Sequence, residues 1–234
     1  MAAARPAREP ALAAKSRTAA VQIVVLVRAA ATAQGVALTD TQSATLTRYV
    51  ELIFKWNRIA NLTGARTPTE FVNQHVADCL AVVPYLRGRR VADLGSGAGL
   101  PGVILACMRP DLEMYLIEPR GKRARFLEQA KIELGLSRIS VIATRIEAWQ
   151  SPVVVDCVVC RAYGSLSGLV VDTAAIQARD CRLVAMKGQV PHAELAALDP
   201  NHYVIQVVAV HLPAWTSRHL ILLERKFLSS AITL

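Results

Sequence analysis

The residues most suited to chemistry are Asp93-Leu94-Gly95-Ser96-Gly97-Ala98-Gly99. Alternating glycines between a strand and a helix let the backbone approach a ligand closely, and three kinds of fold use such a turn. The phosphate loop of nucleotide hydrolases requires Gly-Lys-Ser/Thr, which is absent here. The dinucleotide fingerprint G-x-G-x-x-G fails when counted from Gly95, because its sixth position is Leu100. Counted from Gly97 it succeeds, ending at Gly102. The glycine pattern alone therefore leaves two cofactor classes open.

Charge separates them. Asp93 ends the strand directly before the glycines. A carboxylate there suits the ammonium and sulfonium groups of S-adenosyl-L-methionine and is less welcome beside a pyrophosphate. Glu118 ends the next strand, 23 residues after Gly95, where an acid can accept hydrogen bonds from ribose hydroxyls. Glu118 serves either cofactor, so Asp93 carries the preference for a methyltransferase over an NAD enzyme.

Further along, Ile146 and Glu147 follow the third strand and could border an adenine. Arg161 follows the fourth, where substrate meets cofactor in such sheets. Amino-group methyltransferases often place an Asn/Asp-Pro-Pro-aromatic tetrad there, and this chain has Cys160-Arg161-Ala162-Tyr163 instead. The Pro-Cys or Thr-Cys pair of cytosine C5 methyltransferases is also absent, so Cys160 reads as a structural thiol. No general base stands out. Methylating an amine or a carbon requires loss of a proton, whereas guanine N7 already presents a lone pair and needs mainly in-line positioning. Arg161, Lys187 and Arg218 are the candidates for that positioning, and no metal site is expected. Proximity also serves small-molecule methyltransferases, which stay open as an alternative.

The formal charge is +9, and 22 of the 27 basic residues lie beyond residue 37 alongside 17 acids. A cationic body favours a polyanion such as RNA, because phosphate contacts release counterions. Two clusters stand out, Arg87-Gly88-Arg89-Arg90 and Arg120-Gly121-Lys122-Arg123-Ala124-Arg125. The second opens a helix, where cations oppose the helix dipole, so RNA phosphate is the natural reason for Lys122, Arg123 and Arg125. Solvated surface charge is the alternative.

Five cysteines and no secretory signal suit a reducing, cytoplasmic setting. Cys157-x-x-Cys160 lies in a run that reads as a buried strand. Its odd spacing puts the thiols on opposite faces, as core packing requires and metal binding does not. The best apolar run, Val21 to Val27, breaks at Arg28, far short of the roughly 20 residues a membrane span needs. Residues 1–37 read as a basic tail, disordered or partly helical, with a targeting peptide as the rival for its Arg-rich start.

The elements that must position these residues follow from periodicity. Thr39 or Asp40 can cap a helix whose apolar face is Leu46, Tyr49, Val50, Ile53 and Trp56. A second helix near Pro68–Val83 completes a helical cap over 38–86. From residue 87 to 234, strands and helices alternate, which implies a mostly parallel sheet covered on both faces. The last two strands, Tyr203–Leu212 and His219–Arg225, lack a helix between them and should form an edge hairpin. The expectation is an α/β, Rossmann-like class I methyltransferase with a seven-stranded sheet and an N-terminal helical extension.

An ordered set of short motifs then resembles one family, the bacterial 16S ribosomal RNA guanine-N7 methyltransferases, also called glucose-inhibited division protein B. The motifs are Lys55-Trp56-Asn57 with Asn61-Leu62-Thr63, His75-x-x-Asp78-Cys79, Asp93 through Gly102, and Gly121-Lys122-Arg123-x-Arg125-Phe126-Leu127. They continue with Arg161-Ala162-Tyr163-x-Ser165-Leu166, Lys187-Gly188-Gln189 and Arg218-His219-Leu220. The resemblance implies cofactor contacts at Gly95, Leu100, Ile146, Glu147 and Arg161. It implies that Lys122, Arg123, Lys187 and Arg218 lie near RNA or the site, and that the substrate is 16S rRNA or the 30S subunit. A monomer is expected, and a non-catalytic ribosome-assembly factor keeping the fold is the remaining alternative.

Overall fold

A computed structural model describes residues 8–226 of the chain. Its first element lies within the segment that the sequence reads as a disordered or partly helical basic tail. Residues 8–33 form one continuous helix, α1 (Arg8–Ala33). The reason is a face diluted by alanine: Ile23, Val27, Ala30 and Ala31 recur at helical spacing and are buried, while Val21 and Val25 on the other side are exposed. Arg28 pairs with Asp40 across the turn to the next helix. Residues 1–7 lie outside the described residues.

Helix α2 (Asp40–Ala60) starts on a capping box in which the Gln42 amide donates to Thr39 Oγ1 (3.1 Å) and the Thr39 amide donates to Gln42 Oε1 (2.8 Å). Asn61 ends it in the left-handed region at φ 47°. The Asn57 side chain secures that exit, accepting from the Leu62 and Thr63 amides and donating to the Thr63 carbonyl. Short helices α3 (Pro68–Phe71) and α4 (Ala77–Leu80) are joined by a π-helical turn over Val72–Val76. Such turns displace one side chain from the regular face and recur at functional sites.

The remaining elements are β1 (Arg90–Leu94), α5 (Gly102–Met108), β2 (Glu113–Ile117), α6 (Gly121–Leu134), β3 (Ile139–Ile142), β4 (Val155–Arg161), α7 (Leu166–Thr173), β5 (Gln177–Lys187), α8 (His192–Ala196), β6 (Tyr203–Ala209) and β7 (His219–Arg225). They build one seven-stranded sheet in the order β3-β2-β1-β4-β5-β7-β6. The five strands β1 to β5 pair in parallel, and β7 runs antiparallel between β5 and β6. The hairpin therefore closes one edge, and its Tyr203 pairs with Arg225.

Two apolar cores flank the sheet. One joins the cap helices and α5 and α6 to residues such as Cys157 and Val159, and the other gathers α7 and α8 around Val158 and Cys160. Cys157 and Cys160 thus face opposite cores, as a buried strand dictates. The cap shares its core with the sheet. Trp56 packs edge-on against Phe126 of α6, with centroids 5.9 Å apart, and Gln42 donates to the Met108 carbonyl at the end of α5. Among the described residues no helix is long and apolar enough to cross a membrane.

Candidate active site at the carboxyl edge of the sheet

In a parallel sheet the carboxyl ends of the strands open on the same side, where ligands bind. Asp93, Glu118, Ile146, Glu147, Arg161 and Lys187 all fall at or just beyond those ends. The antiparallel β7 brings its beginning there too, because His219 pairs with Lys187. Arg218 therefore joins residues that lie far earlier in the chain.

The glycine loop is held from below. The Gly102 amide donates to Asp93 Oδ2 (2.9 Å), and the Ser96 hydroxyl donates to the Asp93 carbonyl (2.9 Å). A Cβ on Gly102 would lie 2.3 Å from Leu116 Cδ2 and 2.6 Å from Asp93 Oδ2, so only glycine lets helix α5 begin this close to β1. Gly95 and Gly97 have φ of 69° and 58°, and nothing lies closer than 3.7 Å to where their side chains would be. That open face is a cradle for a ligand rather than a packing seam. Tyr49 of the cap donates to the Ala98 carbonyl (2.6 Å), fixing the loop from above.

Asp93 is fully buried, and its Oδ1 has no hydrogen-bond partner. Burial pushes its carboxyl up to about 7, partly offset by the Gly102 amide and Ser96. A cationic ligand group lying over the loop would favour the ionised form of this buried carboxyl, so the residues present fit S-adenosyl-L-methionine. Glu118 is also buried and braces the loop: its Oε2 accepts from Gly97 (2.8 Å) and its Oε1 from Arg120 (2.8 Å). Each oxygen keeps a second lone pair for a ribose hydroxyl. Leu100 and Ile146 are buried beside the site, and Glu147 is exposed on the turn after β3.

The largest arrangement that sequence reasoning does not foresee centres on Asp78 of α4. Asp78 is 2% exposed, and its Oδ2 lies 3.7 Å from Arg161 Nη1 and 3.5 Å from Arg218 Nη2. Arg161 Nη2 also meets His75 Nδ1 at 3.3 Å, from the π-helical turn. Burial raises the Asp78 carboxyl, and the two guanidiniums oppose that rise. Burial and the nearby Arg161 charge lower His75 to about 4, so its ring is neutral at pH 7 and a poor base. Directly after Arg161, Ala162 takes φ 55°, a strained conformation of the sort kept at sites. The available signal was an acid inside the apolar run Val76-Ala77-Asp78-Cys79-Leu80: a buried charge requires partners.

The structure divides the expected cationic contacts. Arg123 reaches back over the glycine loop, with Nη1 3.8 Å from the Cβ position of Gly97. Lys122 and Arg125 are exposed at the start of α6, and none of the three is ion-paired among the described residues. Lys187 is committed elsewhere: its ammonium donates to the Gly164 carbonyl (3.0 Å) and to Glu194 (2.9 Å). The Arg87–Arg90 cluster lies at the opposite edge of the sheet, where Asp156 accepts from the Arg89 and Arg90 amides and Arg87 pairs with Glu224. All five cysteines are free and buried, and burial pushes the Cys160 thiol up to about 12, which leaves no thiolate nucleophile. Among the described residues no group of three or more His, Cys, Asp or Glu side chains could hold a metal ion.

Solved structures share this architecture. A methyltransferase from Geobacter sulfurreducens superposes with a TM-score of 0.55 at 12% identity, covering 77% of this chain and 89% of that one. A precorrin-6y C5,15-methyltransferase from Geobacter metallireducens gives 0.51 at 13% identity, covering 64% and 87%. At such identities the likeness shows the fold, the Rossmann-like class I methyltransferase fold. Sequence relatives are much nearer. The ribosomal RNA small subunit methyltransferase G of Nitrosospira multiformis is 43% identical over 199 residues, covering 82% of this chain and 92% of that protein. The Escherichia coli protein of the same name is 39% identical over 191 residues, covering 81% and 92%. Residues 42–221, from the first turn of α2 to the middle of β7, match the family described as GidB, rRNA small subunit methyltransferase G, and this chain belongs to that family.

Proposed function

We propose that the chain transfers the methyl group of S-adenosyl-L-methionine to N7 of one guanine in 16S rRNA, acting as a cytoplasmic monomer on the RNA or the 30S subunit. The carrying observation is one carboxyl edge that joins the open glycine cradle, with its orphaned Asp93 oxygen, to the Asp78–Arg161–Arg218 cluster, with no strong base among them. Asp93, Gly95, Gly97, Leu100, Glu118, Ile146, Glu147 and Arg161 would hold the cofactor. When bound, it supplies an electrophilic sulfonium methyl.

The remaining work belongs to the side chains. Guanine N7 carries its own lone pair, so no residue has to remove a proton before attack. Arg161 and Arg218 present guanidinium donors to the base or its phosphate, and Asp78 keeps them from repelling each other. Holding N7 in line is then the main contribution to rate. Lys122, Arg123 and Arg125 offer unpaired charge for the RNA backbone beside the cradle. Lys187 supports the site by fixing the turn at Gly164 rather than by offering a free charge.

The test is transfer of tritiated methyl to 30S subunits or rRNA lacking the modification, followed by nucleoside analysis. Label on N7-methylguanosine is the expected result. Tight S-adenosylhomocysteine binding with no transfer to any form of that RNA overturns the reading, and absence of binding favours a non-catalytic assembly factor.

A further inference from the structure

The loop between β6 and β7 holds an aromatic ring at the mouth of the site that none of the steps above uses. Trp215 is 39% exposed and the only aromatic among the large exposed apolar residues described. Its orientation is nevertheless fixed. The indole Nε1 donates to the Gln74 carbonyl (3.2 Å), next to His75, and the Arg218 guanidinium lies 4.5 Å from the ring centroid. A backbone bridge between Leu212 and Trp215 tightens the loop beneath it. Arg218 reaches from this ring to Asp78, and Asp78 reaches to Arg161. An indole so placed is wired to the substrate end of the site while remaining wet.

We infer that Trp215 is the stacking platform for the target base: the face not covered by Arg218 takes the guanine, giving a guanidinium–indole–guanine sandwich. This rests on the function proposed above. Sequence-specific recognition of RNA takes bases splayed from loops, bulges and ends and stacks them on aromatic side chains, and an enzyme that acts on one base holds it outside its own stack. A base pulled from its neighbours needs a replacement aromatic surface, and tryptophan provides a large one. The cation on the far face draws electron density from the indole, which suits stacking against guanine, an electron-rich base.

The experiment compares Trp215→Phe, Trp215→Leu and Trp215→Ala in the full chain. It reads methyl transfer to 30S subunits lacking the modification, and S-adenosylhomocysteine binding by calorimetry. Trp215→Leu and Trp215→Ala are expected to lose about tenfold or more in kcat/KM, Trp215→Phe to stay within about threefold, and cofactor affinity to stay within about twofold in all three. Phenylalanine keeps a stacking ring but not the bond to Gln74, and leucine keeps bulk without a π face. If leucine matches phenylalanine, if phenylalanine falls with alanine, if alanine stays near wild type, or if activity merely follows cofactor affinity, stacking is overturned. A wild-type chain that places no methyl on guanine overturns the function and this inference together, whereas any of the former results in an active wild type overturns this inference alone.

Discussion

Asp78 of helix α4 lies 3.7 Å from Arg161 at the end of β4, and this ion pair joins the helical cap to the carboxyl edge of the sheet. The same carboxylate holds Arg218 at 3.5 Å. One buried acid therefore supports two largely buried cations, one ending β4 and the other just before β7. Asp78 Oδ2, Arg161 Nη1 and Arg218 Nε make no hydrogen bond, so the cluster has capacity left for a ligand.

Replacing Asp78→Asn removes the countercharge and leaves two guanidiniums facing each other. Breaking a buried pair by removing one partner costs about 3 kcal/mol or more, and solvent at the partly exposed arginines moderates that. The expected outcome is a lower urea midpoint together with a loss of methyl transfer that exceeds the loss of cofactor affinity. Equal, small losses in both would show that the cluster does not position substrate.

Asp93 predicts a pH dependence of cofactor binding. Its free-state carboxyl sits near neutrality because of burial, at about 7. The ligand's ammonium group favours the ionised form, so affinity for S-adenosylhomocysteine should rise from about pH 6 to about pH 8, with proton release on binding. Calorimetry in buffers of different ionisation enthalpy reads the proton. Asp93→Asn should flatten the profile and weaken binding at the upper end by about tenfold.

Gly102→Ala places a methyl where Leu116 and Asp93 already stand. Overpacking of this kind costs about 1–3 kcal/mol, and here it also pushes the carboxylate that braces the loop. Denaturant unfolding should show the reduced stability, and cofactor titration a weaker site. A variant with unchanged stability would mean that α5 shifts freely, contrary to its fully buried setting.

Lys122 and Arg125 should act on RNA affinity through salt. Removing one cation that neutralises a phosphate makes the slope of log affinity against log salt less negative by about 1. Lys122→Ala and Arg125→Ala are expected to show that change with cofactor affinity intact. Arg89→Ala, at the opposite edge of the sheet, is expected to leave the slope as it was.

Much of the fold is legible along the chain because period and punctuation are local properties. The alternation from residue 87 predicts the parallel sheet, and the missing helix between the last two strands predicts the hairpin found at the edge. Helix α1 is not legible in that way, because alanines blur the contrast between its buried and exposed faces. Only packing against α2 and α4 reveals which face is which.

Along the chain alone, Asp93, the glycines and Glu118 can be recognised, since each is set by its place at the end of a strand or in a turn next to it. The positions of Arg161, Lys187 and Arg218 are legible as charges, but not their engagements. Tertiary structure decides that Lys187 is tied to Glu194 while Arg161 and Arg218 converge on Asp78. It also decides that Trp215 stands beside Arg218 at the site. These relationships depend on where an antiparallel strand returns and how a π-helical turn aims its side chains, and no short-range pattern encodes either.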